Sequence, residues 1–207
     1  PSGSTTLAER LRIDASGNVI IAAGAGTLIT ATAGTDNVRI GENAGNSIVD
    51  GGTRNIVIGK NAGTALTTGD ENVAIGHEAL ITEDAHGKNV AIGNNALKIL
   101  NAGAEGFNTA VGFDSGKAVT TGINNTFIGA LAGDAFDVGA HNTAVGMGAL
   151  STDVHGSRST ALGYFALVTQ NFATTTDVYN TAVGYNAGAA VTTGIANTLI
   201  GGVAGDS

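Results

Sequence analysis

Four acidic residues stand in adjacent pairs that could act together in acid–base chemistry: Asp70 with Glu71, and Glu83 with Asp84. In a glycosidase, two carboxylates lie about 5 to 9 Å apart on either side of a sugar held in a groove. The chain has no Trp, six Phe and three Tyr, so rings to wall such a groove are scarce. No Ser-His-Asp spacing, phosphate-cradling loop or cofactor fingerprint is present. The sequence therefore predicts no catalytic residue and no cofactor, and a polysaccharide-degrading enzyme is the weaker alternative.

The strands and turns that position these residues are built from one repeated sequence motif, Asn-x-x-(Ile/Val/Leu)-Gly-x-x-(Ala/Ser)-(Gly/Leu). Successive copies begin 18, 17, 17, 19, 17, 17, 17, 21 and 17 residues apart, which is typical of a stack of near-identical coils. We expect the first-position Asn side chains to bond neighbouring coils and turn backbone; a sugar-binding array is the alternative. The ten copies begin at Asn37, Asn55, Asn72, Asn89, Asn108, Asn125, Asn142, Ser159, Asn180 and Asn197. The fifth-position anchors are Gly41, Gly59, Gly76, Gly93, Gly112, Gly129, Gly146, Gly163, Gly184 and Gly201.

Within a copy, the residues after the Asn alternate as in a half-buried strand. The first and third strand residues share one face, and we expect that face to form the core, with the aliphatic column Ile58, Ile75, Ile92, Ile128 and Ile200 inside. The middle residue is usually Ala. Because small side chains allow another chain to approach closely, we expect this Ala column to pack between subunits.

A second short strand is predicted on the far side of each coil, at Thr64–Thr68, Lys117–Thr121 and Ala189–Thr193. The fold class is therefore all-β: a parallel β-roll or β-solenoid of about ten 17-residue coils, roughly 48 Å long. Helical repeats fit poorly, since each Gly inside a helix costs about 1 kcal/mol relative to Ala. We expect two domains, a lead-in segment with a hairpin-like stretch at residues 1–36 and the repeat domain at residues 37–207.

Composition excludes two classes of partner. The formal net charge is -8, with 17 acidic and 9 basic residues and no run of Lys or Arg, so we expect no nucleic-acid binding. No apolar run approaches the length of a membrane span, so we expect no membrane insertion. The Gly/Leu alternation at the ninth repeat position, two Gly and then two Leu, has no explanation in the sequence alone.

Two histidines and three pairs of threonines suggest two further functions, metal binding and ice binding. His86 and His155 each follow an acidic residue, as metal ligands often do, but they lie four coils apart, about 19 Å at the strand spacing. They cannot share an ion within one chain, so we expect solvated turns and no metal; an ion held between chains stays open. The pairs Thr67/Thr68, Thr120/Thr121 and Thr192/Thr193 suggest an ice-binding ladder, but they recur only every three to four coils.

The phrase Asn-Val-Ala-Ile-Gly-x-x-Ala at residues 72–79 and 89–96 closely resembles the head repeat of trimeric autotransporter adhesins. That resemblance implies left-handed parallel β-rolls assembled as a homotrimer, although the family repeat is typically a few residues shorter. The segment Glu-Arg-Leu-Arg-Ile-Asp-Ala-Ser-Gly-Asn-Val at residues 9–19 resembles a stretch common in phage tail-fibre proteins. Together the resemblances favour a phage or virus tail fibre, and the head of a bacterial trimeric adhesin on the cell surface is the alternative.

The function expected from these resemblances is structural and adhesive: a fibre segment of the virion that contacts a host cell-surface glycan or protein. Additions to a regular stack emerge as loops, and loops on a rigid scaffold often carry recognition. The two long coils add residues before Asn108 and before Asn180, where aromatic residues gather. We therefore predict that Phe107, Phe172 and Tyr179 bind the receptor. A polysaccharide-degrading tailspike is the lesser alternative.

Overall fold

The computed structural model describes residues 11–13, 19–21 and 34–206, in two compact units, Pro1–Ala31 and Thr32–Ser207. In the first unit, β1 (Leu11–Ile13) pairs antiparallel with β2 (Val19–Ile21). Residues 14–18 of the predicted hairpin-like stretch, and most of the lead-in segment, lie outside the described residues. Within the described ranges the chain forms no helix, and hence none able to cross a membrane.

The second unit is a parallel β-solenoid of ten coils of about 17 residues, which confirms the predicted fold class at this level. Ten strands form one sheet in chain order, and each strand residue pairs with its counterpart one repeat later, as Val73 pairs with Val90. We number the coils 1 to 10 from their repeat starts. The strands are β3 (Val38–Ile40), β4 (Ile56–Ile58), β5 (Val73–Ile75), β6 (Val90–Ile92), β7 (Thr109–Val111), β8 (Thr126–Ile128), β9 (Thr143–Val145), β11 (Thr160–Leu162), β13 (Thr181–Val183) and β14 (Thr198–Ile200). A separate short pair joins β10 (Gly156–Ser157) to β12 (Thr176–Asp177).

The predicted second strand is wrong. Thr64–Thr68, Lys117–Thr121 and Ala189–Thr193 form turns and bends rather than strands. The chain is turned here rather than extended: Gly63, just before the first segment, takes left-handed backbone at φ 51°. The Leu66 N–H then donates back to the Gly63 carbonyl at 3.2 Å within its own coil, which an extended strand does not allow. Backbone hydrogen bonds still join the turns of neighbouring coils.

The two faces of the sheet are also the reverse of the prediction. The middle strand residue points into the solenoid and is fully buried in coils 2 to 9, as Ala74 and Ala91 are. The predicted core column Ile58, Ile75, Ile92, Ile128 and Ile200 points outward, and Ile128 is 39% and Ile200 71% exposed. Alternation separates two faces but does not say which one is inside. Here the interior is closed by side chains from the turns, so only small residues are needed on most strands.

The interior explains the Gly/Leu alternation at the ninth position. Where the middle strand residue is Ala, as in coils 3, 4, 7 and 8, a buried Leu fills the ninth position. Where that residue is larger, the ninth is Gly: a Cβ added to Gly133 would lie 2.5 Å from the Phe127 ring. Coils 5 and 9 are exceptions, with Ala on the strand and Gly at the ninth position, and there side chains of the adjacent coils occupy the space. They lie 2.9 and 3.0 Å from a Cβ added to Gly116, and 2.7 and 2.8 Å from one added to Gly188. The alternation therefore keeps the interior volume filled along the stack.

The Asn column forms a ladder at one corner of the solenoid. The Asn72 backbone N–H donates to Asn55 Oδ1 at 2.9 Å, and Asn55 Nδ2 donates to the Gly69 carbonyl at 2.9 Å. Equivalent bonds recur along the stack, and Asn55 and Asn72 are fully buried. In coil 8, where Ser159 replaces the Asn, Gln170 bridges Ser159 Oγ and the Asn180 side-chain amide at 3.1 and 2.8 Å. These bonds satisfy buried polar groups that the corner would otherwise leave unpaired.

Candidate functional sites on the outer surface

An uninterrupted line of aliphatic side chains runs down the outward face of the ten-stranded sheet. We call it the outer aliphatic column; its members are exposed or half-buried, and each lies beside its counterpart in the next coil. At the usual strand spacing it is about 43 Å long. The column consists of Ile40, Ile58, Ile75, Ile92, Val111, Ile128, Val145, Leu162, Val183 and Ile200. Scattered apolar residues are normal on a surface, but a continuous line of them indicates an interaction site.

The two long coils end in exposed rings, and both rings have the same surroundings. Phe107 is 52% and Tyr179 57% exposed, and each is the last residue of its coil. Lys88 Nζ lies 5.5 Å from the centre of the Phe107 ring, and Arg158 Cζ lies 5.9 Å from that of Tyr179. In both cases the cation is the last residue of the preceding coil, so the parallel register brings cation and ring together.

An acidic residue completes each group. Lys88 Nζ lies 3.5 Å from Glu105 Oε2, and Arg158 Nε donates to Asp177 Oδ1 at 2.9 Å. The bond to Asp177 raises the pKa of Arg158. We call the two groups corner clusters: Lys88, Glu105 and Phe107 in the first, and Arg158, Asp177 and Tyr179 in the second. They occupy equivalent places four coils apart, about 19 Å at the strand spacing. Each cluster combines the flat apolar face of a ring with a cation and with a carboxylate that can accept hydrogen bonds from hydroxyl groups. This combination has the chemistry to contact a sugar or a polar protein segment.

Each long coil is held from beneath by a buried carboxylate of the preceding coil. Glu83 is fully buried, and its two oxygens accept the N–H groups of Ala102 at 3.1 Å and His86 at 3.3 Å. Burial raises the pKa of this carboxyl. At the same repeat position, buried Asp153 accepts the Phe172 N–H at 3.3 Å. The acids therefore fasten the added residues to the rigid stack.

Phe172 does not fit its expected role. It is only 8% exposed, and its carbonyl lies 3.0 Å from His155 Nδ1 while its N–H bonds Asp153. The ring therefore presents little free face to a receptor. Of the three predicted receptor-binding rings, Phe107 and Tyr179 are the two that point outward.

The acidic pairs are engaged within the chain. Arg54 Nη2 bonds both Asp70 and Glu71, at 3.1 and 2.8 Å. Among the described residues, Glu83, Asp84 and His86 form the one group with metal-ligand atoms within 4.8 Å of one another. Both Glu83 oxygens already accept backbone N–H groups, so the group acts as a fastening for the turn.

Sequence reasoning missed the buried acids and the cations, although signals for both exist. The twelfth repeat position is aliphatic or aromatic in coils 1, 2, 4, 5, 6 and 9, so an acid at that position indicates a carboxylate in the interior. The cations could have been found by aligning the last residue of each coil with that of the next. No protein-family model matches the chain, and neither the curated proteins nor the solved structures compared with it include a match.

Proposed function

We propose that this chain is a structural segment of a phage or virus tail fibre, assembled as a homotrimer, which stiffens the fibre and attaches the virion to a host-surface glycan or protein. The observation that carries the proposal is the outer aliphatic column, since a single solenoid leaves ten aliphatic side chains in line on one face. A surface that matches the whole column must carry the same spacing of about 4.8 Å. Further copies of the same solenoid have that spacing. The number three and the left-handed winding rest on the motif resemblance.

Two matched substitutions within coil 4 test the assembly. Ile92 belongs to the outer aliphatic column, whereas Ile99, also exposed, lies off the sheet. An Asp at residue 92 would bury three unpaired charges in a trimer, which is strongly unfavourable. Sedimentation is therefore expected to show a trimer for wild type and Ile99→Asp, and a smaller species for Ile92→Asp. A folded wild-type monomer at micromolar concentration would contradict the proposal.

The corner clusters support the attachment role. They place two equivalent exposed rings on the same edge of a rigid rod, each flanked by a carboxylate and a cation. The test is binding to a panel of bacterial surface polysaccharides and to intact cells by Phe107→Ser/Tyr179→Ser. The matched control is Ile99→Ser, which changes an exposed apolar side chain off both the corner clusters and the sheet. Binding by the double variant equal to that of wild type would place the receptor site elsewhere.

Other functions make different predictions. A bacterial adhesin head would carry a membrane anchor in the full-length gene, whereas a fibre would carry a virion-attachment segment or a self-cleaving chaperone domain. A polysaccharide-degrading tailspike would shorten host polysaccharide on incubation. Analysis of the flanking gene sequence and of polysaccharide chain length separates these three.

One observation favours ice binding. The first strand residue is Thr in six successive coils, from Thr109 in coil 5 to Thr198 in coil 10, and all six point outward. This column is continuous, unlike the Thr pairs of the turns. It lies beside the outer aliphatic column, so assembly would limit its access to ice. Thermal hysteresis in a dilute solution would favour ice binding over the fibre.

A further inference from the structure

Two columns flank the outer aliphatic column, and their chemistry changes between the halves of the solenoid. On one side lie the first strand residues, which we call the strand-start column. On the other side, two residues beyond the aliphatic column, lie the sixth repeat residues, which we call the turn column. Stacking along the turn column is direct: Lys60 Nζ lies 3.1 Å from Glu42 Oε2, and the Tyr164 and Tyr185 rings stack at 5.4 Å.

In coils 1 to 4 the apolar side chains are on the strand-start side. The strand-start column is aliphatic there, with Val38 and Ile56 exposed and Val73 and Val90 half-buried. The turn column of the same coils is polar and exposed, and consists of Glu42, Lys60, His77 and Asn94. The apolar band in this half therefore covers the strand-start and aliphatic columns.

In coils 5 to 9 the apolar side chains are on the other side. Every strand-start residue is now Thr, and the turn column is Phe113, Ala130, Met147, Tyr164 and Tyr185. Four of these five are exposed large apolar or aromatic side chains. Both columns change at the same place, between coils 4 and 5, where Val90 gives way to Thr109 and Asn94 to Phe113. A band two columns wide is thus kept along the rod but is displaced across the sheet.

From this displacement, and resting on the proposed assembly, we infer that the copies pack along a line oblique to the sheet columns, so that the solenoids wind around one another. The band moves by about two residues, roughly 7 Å, between the centres of the two halves, which are roughly 22 Å apart. Its inclination is therefore roughly 15 to 20°. In α-helices, likewise, an apolar stripe that drifts around the helix surface makes the packed helices supercoil. Solenoids standing straight beside an axis would keep one set of columns buried from end to end.

The partner is a second copy in parallel and in register. Only then can the apolar bands of all copies face the common axis at every level: the strand-start and aliphatic columns in coils 1 to 4, and the aliphatic and turn columns in coils 5 to 9. An antiparallel copy would set the exposed Glu42 and Lys60 of one chain against the aromatic turn column of the other. That arrangement would desolvate charges without partners.

Single-cysteine variants test the inference, because the chain contains no Cys. Val73 and His77 flank Ile75 in coil 3, and Thr181 and Tyr185 flank Val183 in coil 9. Each is replaced by Cys, the trimer is verified by sedimentation, and disulfide-linked chains are counted after mild oxidation. A disulfide needs the two Cα atoms within about 7 Å, so we expect about tenfold more linkage for Val73→Cys than for His77→Cys. In coil 9 the same excess is expected for Tyr185→Cys over Thr181→Cys.

The controls are Ile75→Cys and Val183→Cys, which are expected to link in both halves. A trimer in which the same side links in coils 3 and 9, or in which both sides link equally, overturns the oblique packing and leaves the trimer standing. A monomeric wild type overturns the assembly itself. The two failures are therefore distinct.

Discussion

The inner and outer faces of the same three-residue strand differ in a way that alternation alone does not reveal. In β6, Ala91 is sealed inside the solenoid, while Val90 and Ile92 face outward. The larger side chains are outside because the narrow interior is filled mainly from the turns, by residues such as Leu97 and Leu100. The small face therefore packs within the single chain, and the large face is left free for the proposed packing against other copies.

The largest loss of stability is expected from truncating a large side chain on the inner face. Phe127 is fully buried and packs against Phe136 with ring centres 5.3 Å apart. Phe127→Ala is expected to lower the free energy of unfolding by about 3 to 5 kcal/mol per chain. Ile128→Ala, one residue along the strand, is expected to weaken the proposed association, so its loss relative to wild type should fade on dilution as both proteins become monomeric, whereas the loss from Phe127→Ala should not depend on concentration. Chemical denaturation at several protein concentrations checks both; the same concentration dependence for the two variants would erase the distinction between the faces.

A second substitution is expected to recover part of that loss. In coils 3, 4, 7 and 8 an Ala on the strand is combined with Leu at the ninth position, so Gly133→Leu in the Phe127→Ala background recreates that combination. The recovery is partial, because Leu in the left-handed conformation costs about 1 to 2 kcal/mol. Gly133→Leu alone is expected to destabilise, since its Cβ would meet the Phe127 ring. A double-mutant cycle measures the coupling, and additive effects would argue against volume matching.

The contribution of buried Glu83, which holds the first long coil, to the stability of the fold is expected to depend on pH. Burial raises the pKa of Glu83 above its ordinary 4.5, so the folded chain holds this proton more tightly than the unfolded chain. The contribution is present below the unfolded pKa and is lost as the pH rises through the folded pKa. Relative to Glu83→Gln, wild type is therefore expected to lose stability as the pH rises above the unfolded pKa of 4.5. Glu71→Gln, at an exposed acid, is the control; a wild-type profile parallel to that of Glu83→Gln would contradict this account.

The smallest effects on stability are expected at the corner clusters. Arg158 and Asp177 are exposed, and exposed ion pairs contribute little to stability because water and salt screen them. Arg158→Ala and Lys88→Ala should therefore leave the melting temperature nearly unchanged. If the clusters bind the receptor, both variants lose affinity for it all the same. A large fall in melting temperature would instead make the clusters part of the folding framework.

The sequence predicts the stack well because the Asn and Gly anchors recur at nearly constant spacing and parallel pairing follows from that spacing. It does not predict the inner face, because Ala and Ile both suit an apolar surface. Phe107 and Tyr179 are predicted by the rarity of rings and the longer coils, but their cations lie one coil earlier and meet them only in the register of the stack. Phe172 fails because an added residue can fold back under a loop, which neither composition nor spacing shows.

The central claim is that the outer aliphatic column is covered by other copies of the chain. Ile128 and Ile99 are matched probes, since in the single chain they are 39% and 40% exposed, and only Ile128 lies in the column. Methyl NMR with a soluble paramagnetic agent compares their access to solvent in the assembled protein. The account predicts strong relaxation of the Ile99 methyl and a shielded Ile128 methyl, and equal relaxation of the two would contradict it.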